Sequence, residues 1–354
     1  MNKELDVLFD ILSHKRPYAG MGDEGIIEKY LDVIPKMQKD GFGNRILAVG
    51  KHPTVMFSSH TDTVHRSEGT NHNFLDETRQ EVFNTDGDCL GADDGAGMWI
   101  MLQLIKAGKR GLYVFHRGEE CGGLGSDYIA NRTPELLDGI KYCIAFDRKD
   151  YTNIITHQFS GRGCSDVFAS ALAGAIGMGY KPDPTGIFTD SDNYTHIIPE
   201  CTNISVGYFA EHTAAELLDY GFLQRLTKKL KSVVFETLPV ERDPEDAWVD
   251  PYAYNYGRGA HGWPTGADYK EFDEANGRLN DDSPPWDDYD PFEDAATVID
   301  PDISGAGDSF FDAKGDKEFD AMYTYICNHP LDVTDLLLDN GYTPELLKEK
   351  KRYY

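Results

Sequence analysis

A chain of 354 residues with 40% apolar content can fill a core in one large domain with an appendage, or in two domains. Sixty-one acidic residues against 34 basic give a net charge of −27, which repels nucleic acid and anionic membrane because both are polyanions. No apolar run approaches the roughly 20 residues that cross a bilayer. Most of the acidic excess reads as a solvated surface.

Met1 to Leu12 lacks the basic start and apolar stretch of a secretory signal, so a cytoplasmic protein is expected. The six cysteines form no CxxC and read as reduced, mostly buried thiols.

Leu5, Leu8, Phe9 and Leu12 recur at helical spacing and predict a first amphipathic helix; Gly25 to Val33 predicts a second. The turn Gly41-Phe42-Gly43-Asn44 precedes the strand Arg45-Ile46-Leu47-Ala48-Val49. The run Thr54 to Ser59 ends in His60-Thr61-Asp62. Between Arg66 and Asp88 the alternating segment Glu81-Val82-Phe83-Asn84 predicts an edge hairpin. Gly91-Ala92-Asp93-Asp94-Gly95 then opens a helix from Gly95 to Ala107. That helix is apolar nearly all round, as expected of one buried beneath a site, with Gly108 at its C-cap.

The run Gly111 to Phe115 leads to Gly118-Glu119-Glu120, and Tyr142 to Phe146 ends in Asp147. Ser165 to Met178 predicts a small-residue helix. Asn203 to Tyr208 leads to His212. Thr213-Ala214-Ala215-Glu216 has the capping-box pattern and predicts the start of a long helix with Leu217, Tyr220, Leu223, Leu230, Val233 and Val234 facing inward.

Short apolar runs are the signature of buried parallel strands, and open α/β sheets place their sites at the carboxyl ends of such strands. The predicted fold class is therefore α/β, a three-layer α/β/α domain with a mostly parallel central sheet over residues 1–240. The pattern stops near Pro239. Residues 241–310 are rich in Asp, Gly, Pro and Tyr and predict an acidic linker or tail that contacts the core or a protein partner. Periodicity returns over 311–354 and predicts a small helical hairpin.

Each run ends in a side chain that suits a metal. His60 and Asp62 lie two apart in an extended segment and so point the same way: the imidazole can bind a cation while the carboxylate accepts a hydrogen bond from the ring or a nearby group. One carboxylate of Asp93-Asp94 can bridge two cations, which need an anion between them at about 3.5–4 Å separation. Of Glu119 and Glu120, one can bind metal while the other faces a bound water as general base and then acid. Asp147 is a ligand or an ion-pair partner of Arg148 or Lys149. His212 is a ligand or a helix-start histidine.

Between Asp147 and His212, Arg162, Asp192 and Tyr194 are weaker candidates for substrate contact, with turn, cap and ion-pair roles as alternatives. His65, His72, His116, His157 and His196 read as loop, core or solvent histidines.

In this order, His60-Thr61-Asp62, Leu90 to Gly97, Gly118-Glu119-Glu120, Asp147 and Glu211-His212-Thr213 resemble the co-catalytic zinc exopeptidases. That clan includes leucyl aminopeptidases, tripeptidase-type and carboxypeptidase-type enzymes, aminoacylases and desuccinylases. The resemblance covers roughly residues 1–240. It implies two Zn²⁺ ions (Co²⁺ and Mn²⁺ can share such sites), with Asp93 as bridge, Glu120 and His212 on one ion, and His60 and Asp147 on the other. It also implies Glu119 as general base, Asp62 orienting the His60 side, and a cis peptide between Asp93 and Asp94.

The implied reaction is hydrolysis of a peptide or acyl-amide substrate. Rival readings are an amide deacylase or desuccinylase on a non-peptide substrate, and a non-catalytic binding module on a peptidase fold. Only 65 residues separate Asp147 from His212, too short a gap for the separate domain carried there by carboxypeptidase-like members, so a single-domain, aminopeptidase-like layout is expected.

Overall fold

The computed structural model describes residues 3–244. The linker and the helical hairpin expected beyond Pro239 therefore lie almost wholly outside the described residues.

The core is an eight-stranded sheet. From one edge to the other its strands are Lys181–Asp183, Asn153–Ile155, Glu200–Ser205, Tyr142–Arg148, Val55–His60, Gly111–His116, Arg45–Val49 and Gln38–Lys39. The four central strands run parallel, and antiparallel pairings flank them on both sides. The sheet is thus mixed around a parallel centre. Every residue of Val55–His60 and of Gly111–His116 is buried, as expected when both faces of a parallel sheet are covered.

Alternation along the strands sorts the core into two layers. Phe57, Tyr113, Phe115, Ile144 and Phe146 face the layer built from helices Lys3–Leu12, Ala92–Lys106, Asp166–Ile176 and Tyr220–Leu230. Met56, Leu112, Val114 and Cys143 face the other way, against Ile129 and Ala130 of helix Leu124–Arg132 and against Leu137 and Tyr194. That completes the α/β/α sandwich. The polar stretch after Arg66 holds strands Asn73–Asp76 and Glu81–Asn84. They join Leu217–Asp219 and Tyr208–Phe209 in a four-stranded antiparallel sheet, so the expected hairpin is half of a larger unit.

Local chemistry fixes some helix ends. Ser165 caps Asp166–Ile176 by accepting from Phe168 N at 3.1 Å. Gly108 follows Ala92–Lys106 in the left-handed region (φ +68°), where glycine pays no steric penalty. The second helix begins earlier than its periodicity suggests, at Met21–Ile26, and continues as a π turn over Ile27–Leu31.

One expectation fails. Thr213 does not open a helix, because residues 211–216 form turns and Leu217–Asp219 is a strand. The helix starts at Tyr220, capped by Asp219, which accepts from Phe222 N at 2.6 Å. It ends at Leu230, and Val234 is exposed rather than inward. Pairing of Leu217–Asp219 with Glu81–Asn84 overrides the local helix signal.

Asp219→Ala should therefore cost about 1 kcal/mol. Thr213→Ala should stay within about 0.5 kcal/mol. Urea unfolding of the two metal-free variants measures both, and equal losses would contradict this helix start.

Among the described residues no helix is long and apolar enough to cross a membrane. Cys89, Cys143, Cys164 and Cys201 are buried free thiols, and Cys121 is half-buried.

Candidate metal centre

The carboxyl ends of the parallel strands converge on one cluster. His60 is the last residue of its strand, and Asp147 is the penultimate residue of Tyr142–Arg148. Glu119 and Glu120 sit in the turn between Gly111–His116 and helix Leu124–Arg132. Asp93 enters from the start of Ala92–Lys106, where Asp93 and Asp94 have non-helical backbone angles and their peptide bond is cis. His212 lies in the turn after Tyr208–Phe209 with φ +65°.

These side chains form two three-ligand groups that share Asp93: His60 with Asp93 and Asp147, and Asp93 with Glu120 and His212. In each group the candidate donor atoms lie within 4.8 Å of one another. Asp93 turns one oxygen to each side. Its Oδ1 is 3.0 Å from His60 Nε2, and its Oδ2 is 3.2 Å from His212 Nε2. His60 Nε2 is also 3.6 Å from Asp147 Oδ1, and His212 Nε2 is 3.1 Å from Glu120 Oε1. Glu119 Oε2 stands beside the cluster, 3.9 Å from His60 Nε2.

Packing carboxylates this closely in a buried place has electrostatic consequences. Burial pushes Glu119 well above the usual carboxylate range, with the charges of Asp147 and Glu120 adding to it. Burial and the charge of Asp93 raise Glu120 to about 7 and Asp147 to about 6. For Asp93 burial acts upward, but the two imidazoles win and hold it low. His212 is raised to about 11 by its contacts with Asp93 and Glu120. The cluster therefore favours positive charge between its carboxylates. Glu120 Oε1 is buried with His212 Nε2 at 3.1 Å but makes no well-directed hydrogen bond.

Other residues hold this arrangement. His60 Nδ1 donates to the main-chain carbonyl of Asp62 at 3.0 Å, which leaves Nε2 facing Asp93 and Asp147. The Asp62 carboxylate is 3.8 Å from that ring nitrogen and instead accepts from the backbone N–H groups of Gly118, Glu119 and Glu120 at 2.8, 3.2 and 3.2 Å. It thus fixes the glutamate turn, while its main chain fixes the imidazole. Asp94 accepts from His60 N at 3.2 Å and Gly97 N at 2.8 Å, tying helix to strand. Asp147 pairs with neither Arg148 nor Lys149. It accepts from Thr189 Oγ1 at 2.7 Å and from the Tyr208 hydroxyl at 3.1 Å.

Two supports escape the sequence reading. Glu216 is buried, and its carboxylate accepts from the N–H groups of Leu90, Gly91, Ala92 and Asp93 at 2.8–3.1 Å. The capping signal at Thr213 to Glu216 was therefore half right. The glutamate does cap a helix entrance, but that of Ala92–Lys106. Arg16, fully buried, donates to the carbonyls of Ile11, Thr61 and Gly91 at 2.9 Å and links the two loops flanking the cluster. No motif marks that arginine.

The cluster opens into a cleft enclosing about 590 Å³, part of it open to solvent. Ile155, Gln158, Ile187 and Phe188 line it together with Arg148, Lys149 and Glu211. Arg162, Asp192 and Tyr194 are not among its lining residues. Arg162 pairs with Asp166 at 3.0 Å, and Asp192 accepts from Ser160 N. The buried Tyr194 hydroxyl donates to His116 Nε2 at 2.7 Å, and His116 Nδ1 is 3.2 Å from Asp190.

His65, Asp88 and Cys89 make another compact group, but its imidazole and carboxylate are already engaged. Lys15 pairs with Asp88 at 2.6 Å, Thr63 Oγ1 donates to His65 Nδ1 at 2.7 Å, and His65 Nε2 donates to the Cys89 carbonyl.

The model of peptidase family M28 matches residues 46–215, which contain all six clustered residues. Over those residues the chain matches a family of the co-catalytic zinc exopeptidase clan. On that match it is a zinc-dependent metallopeptidase. The solved structures agree in fold. The aminopeptidase PepT of Bacillus cereus is 15% identical with a TM-score of 0.54, over 66% of this chain and 97% of its own. A Staphylococcus aureus tripeptidase is 14% identical with a TM-score of 0.54, over 66% and 97%. The Pyrococcus horikoshii TET1 peptidase, which can assemble into a tetrahedron or a large octahedral shell, is 14% identical with a TM-score of 0.52, over 65% and 98%. No curated protein sequence matches the chain.

Proposed function

We propose that this clan member is an exopeptidase of the aminopeptidase type that removes residues from a free peptide terminus with two zinc ions. The observation that carries the proposal is the sharing of Asp93 between two three-ligand groups, with Glu119 beside them. His60 and Asp147 would hold one ion, Glu120 and His212 the other, with Asp93 between. The donor set suits zinc, being imidazole and carboxylate throughout, and the buried Glu120 Oε1, which makes no well-directed hydrogen bond, fits a metal ligand. Bound zinc lowers the pKa of water to about 7 and polarises a carbonyl.

The chain's own residues do the rest. Glu119, held in place by the Asp62-bound turn, takes a proton from the attacking water on its carboxylate and passes it to the leaving nitrogen. Ile187 and Phe188 line the cleft with apolar surface. The segment between Asp147 and His212 returns to the main sheet as Asn153–Ile155, Lys181–Asp183 and Glu200–Ser205, which supports a single-domain layout.

The test is metal content by mass spectrometry on protein purified without chelator. Wild type should carry about two zinc ions and His60→Ala about one. The zinc-loaded enzyme should hydrolyse leucinamide and not N-acetylleucine. The reverse preference would move the assignment to a deacylase. A wild type that takes up no added zinc would leave a binding module.

A further inference from the structure

Two strongly basic side chains line the catalytic cleft, and they are not equivalent. Lys149 is neutralised by Glu211, with Nζ 2.7 Å from Oε1. Arg148 has no carboxylate within ion-pair distance among the described residues, although the chain carries 61 acidic residues. Its Nη2 donates to the carbonyl and hydroxyl of Thr185 at 3.1 and 3.3 Å, which steadies the guanidinium against the Thr185 to Phe188 segment of the cleft wall. Its Nε is buried and has no acceptor. Buried N–H groups are ordinarily paired, and a guanidinium fork matches a carboxylate better than any other partner. Arg148 also directly follows Asp147, so its side chain starts one residue from the metal cluster.

We infer that Arg148 is a specificity-determining residue that binds the free C-terminal carboxylate of a short peptide on the leaving side of the scissile bond. This rests on the peptidase reading above. Each residue of an extended chain spans about 3.3–3.6 Å. A carboxylate one or two residues beyond the scissile bond therefore falls within reach of a side chain anchored beside Asp147. Ile155, Ile187 and Phe188 offer the terminal residue an apolar wall, and Ile187, 70% exposed, has surface left to cover. The preferred substrate class is then di- and tripeptides ending in an apolar residue, with long polypeptides disfavoured.

The experiment compares leucyl-leucine with its C-terminal amide on the zinc-loaded full chain and on Arg148→Met and Arg148→Lys. A charge-assisted pair predicts that wild type prefers the acid by about 10–100-fold in kcat/KM. In Arg148→Met that ratio should fall to within about threefold, mostly through KM, with Arg148→Lys between. A wild type that cleaves acid and amide equally, or an Arg148→Met that keeps the preference, overturns the inference.

If neither compound is cleaved, the peptidase reading fails on its own account and calorimetric titration decides Arg148. Leucyl-leucine should bind wild type at least tenfold more tightly than the amide, and Arg148→Met should lose that difference. Equal binding, or no binding of either compound, overturns it.

Discussion

Glu119→Gln should lower kcat by about 10³-fold while zinc content stays at the wild-type level. The substitution is isosteric and keeps the turn, because the N–H groups of residues 118–120 remain bonded to Asp62. It removes only the ability to accept and return a proton, and a positioned acid–base group is worth about 10²–10⁴ in rate. Steady-state kinetics beside a metal assay on the same preparation reads both quantities. A loss under tenfold would mean that another group carries the proton. A loss accompanied by departure of zinc would make Glu119 a ligand instead.

Glu216→Ala should be the most damaging single change outside the cluster. One buried carboxylate satisfies four consecutive backbone N–H groups, and truncation leaves all four without an acceptor. Orphaning even one buried donor costs about 1–3 kcal/mol. A total near 3 kcal/mol allows for water entering the gap, and it corresponds to a Tm lower by about 6–12 °C for a domain of this size. Because Asp93 is one of the four, zinc affinity should fall with stability. Glu216→Gln keeps one acceptor oxygen and should lie between. A Glu216→Ala protein with wild-type Tm and zinc content would show that this anchor does not position Asp93.

The parts of the molecule visible from the sequence are those where one local rule acts alone. Strand Val55–His60 is buried on both faces and reads as an uninterrupted run ending in a histidine. Helix Ala92–Lys106 is buried nearly all round and has no polar face to disguise it. The cluster was legible because its six members follow strand ends or a helix entrance in a fixed order. What escaped depends on partners distant in sequence. Glu216 lies 123–126 positions from the amides it binds, and Arg16 reaches Gly91 across 75. Tyr220 starts its helix late because Leu217–Asp219 pairs with a strand more than a hundred residues earlier. Tyr194 and Asp192 drew attention as polar residues before a histidine, but they are spent on packing the 157–162 hairpin and His116.

The cleft wall from Thr185 to Phe188 supplies none of the six clustered side chains, and none of their anchors lies in it. Part of the substrate-facing wall is therefore written in a stretch of chain apart from the metal cluster. A change at Ile187 or Phe188 can alter which peptide end fits without disturbing Asp93. This fold can acquire a new diet while keeping its chemistry intact.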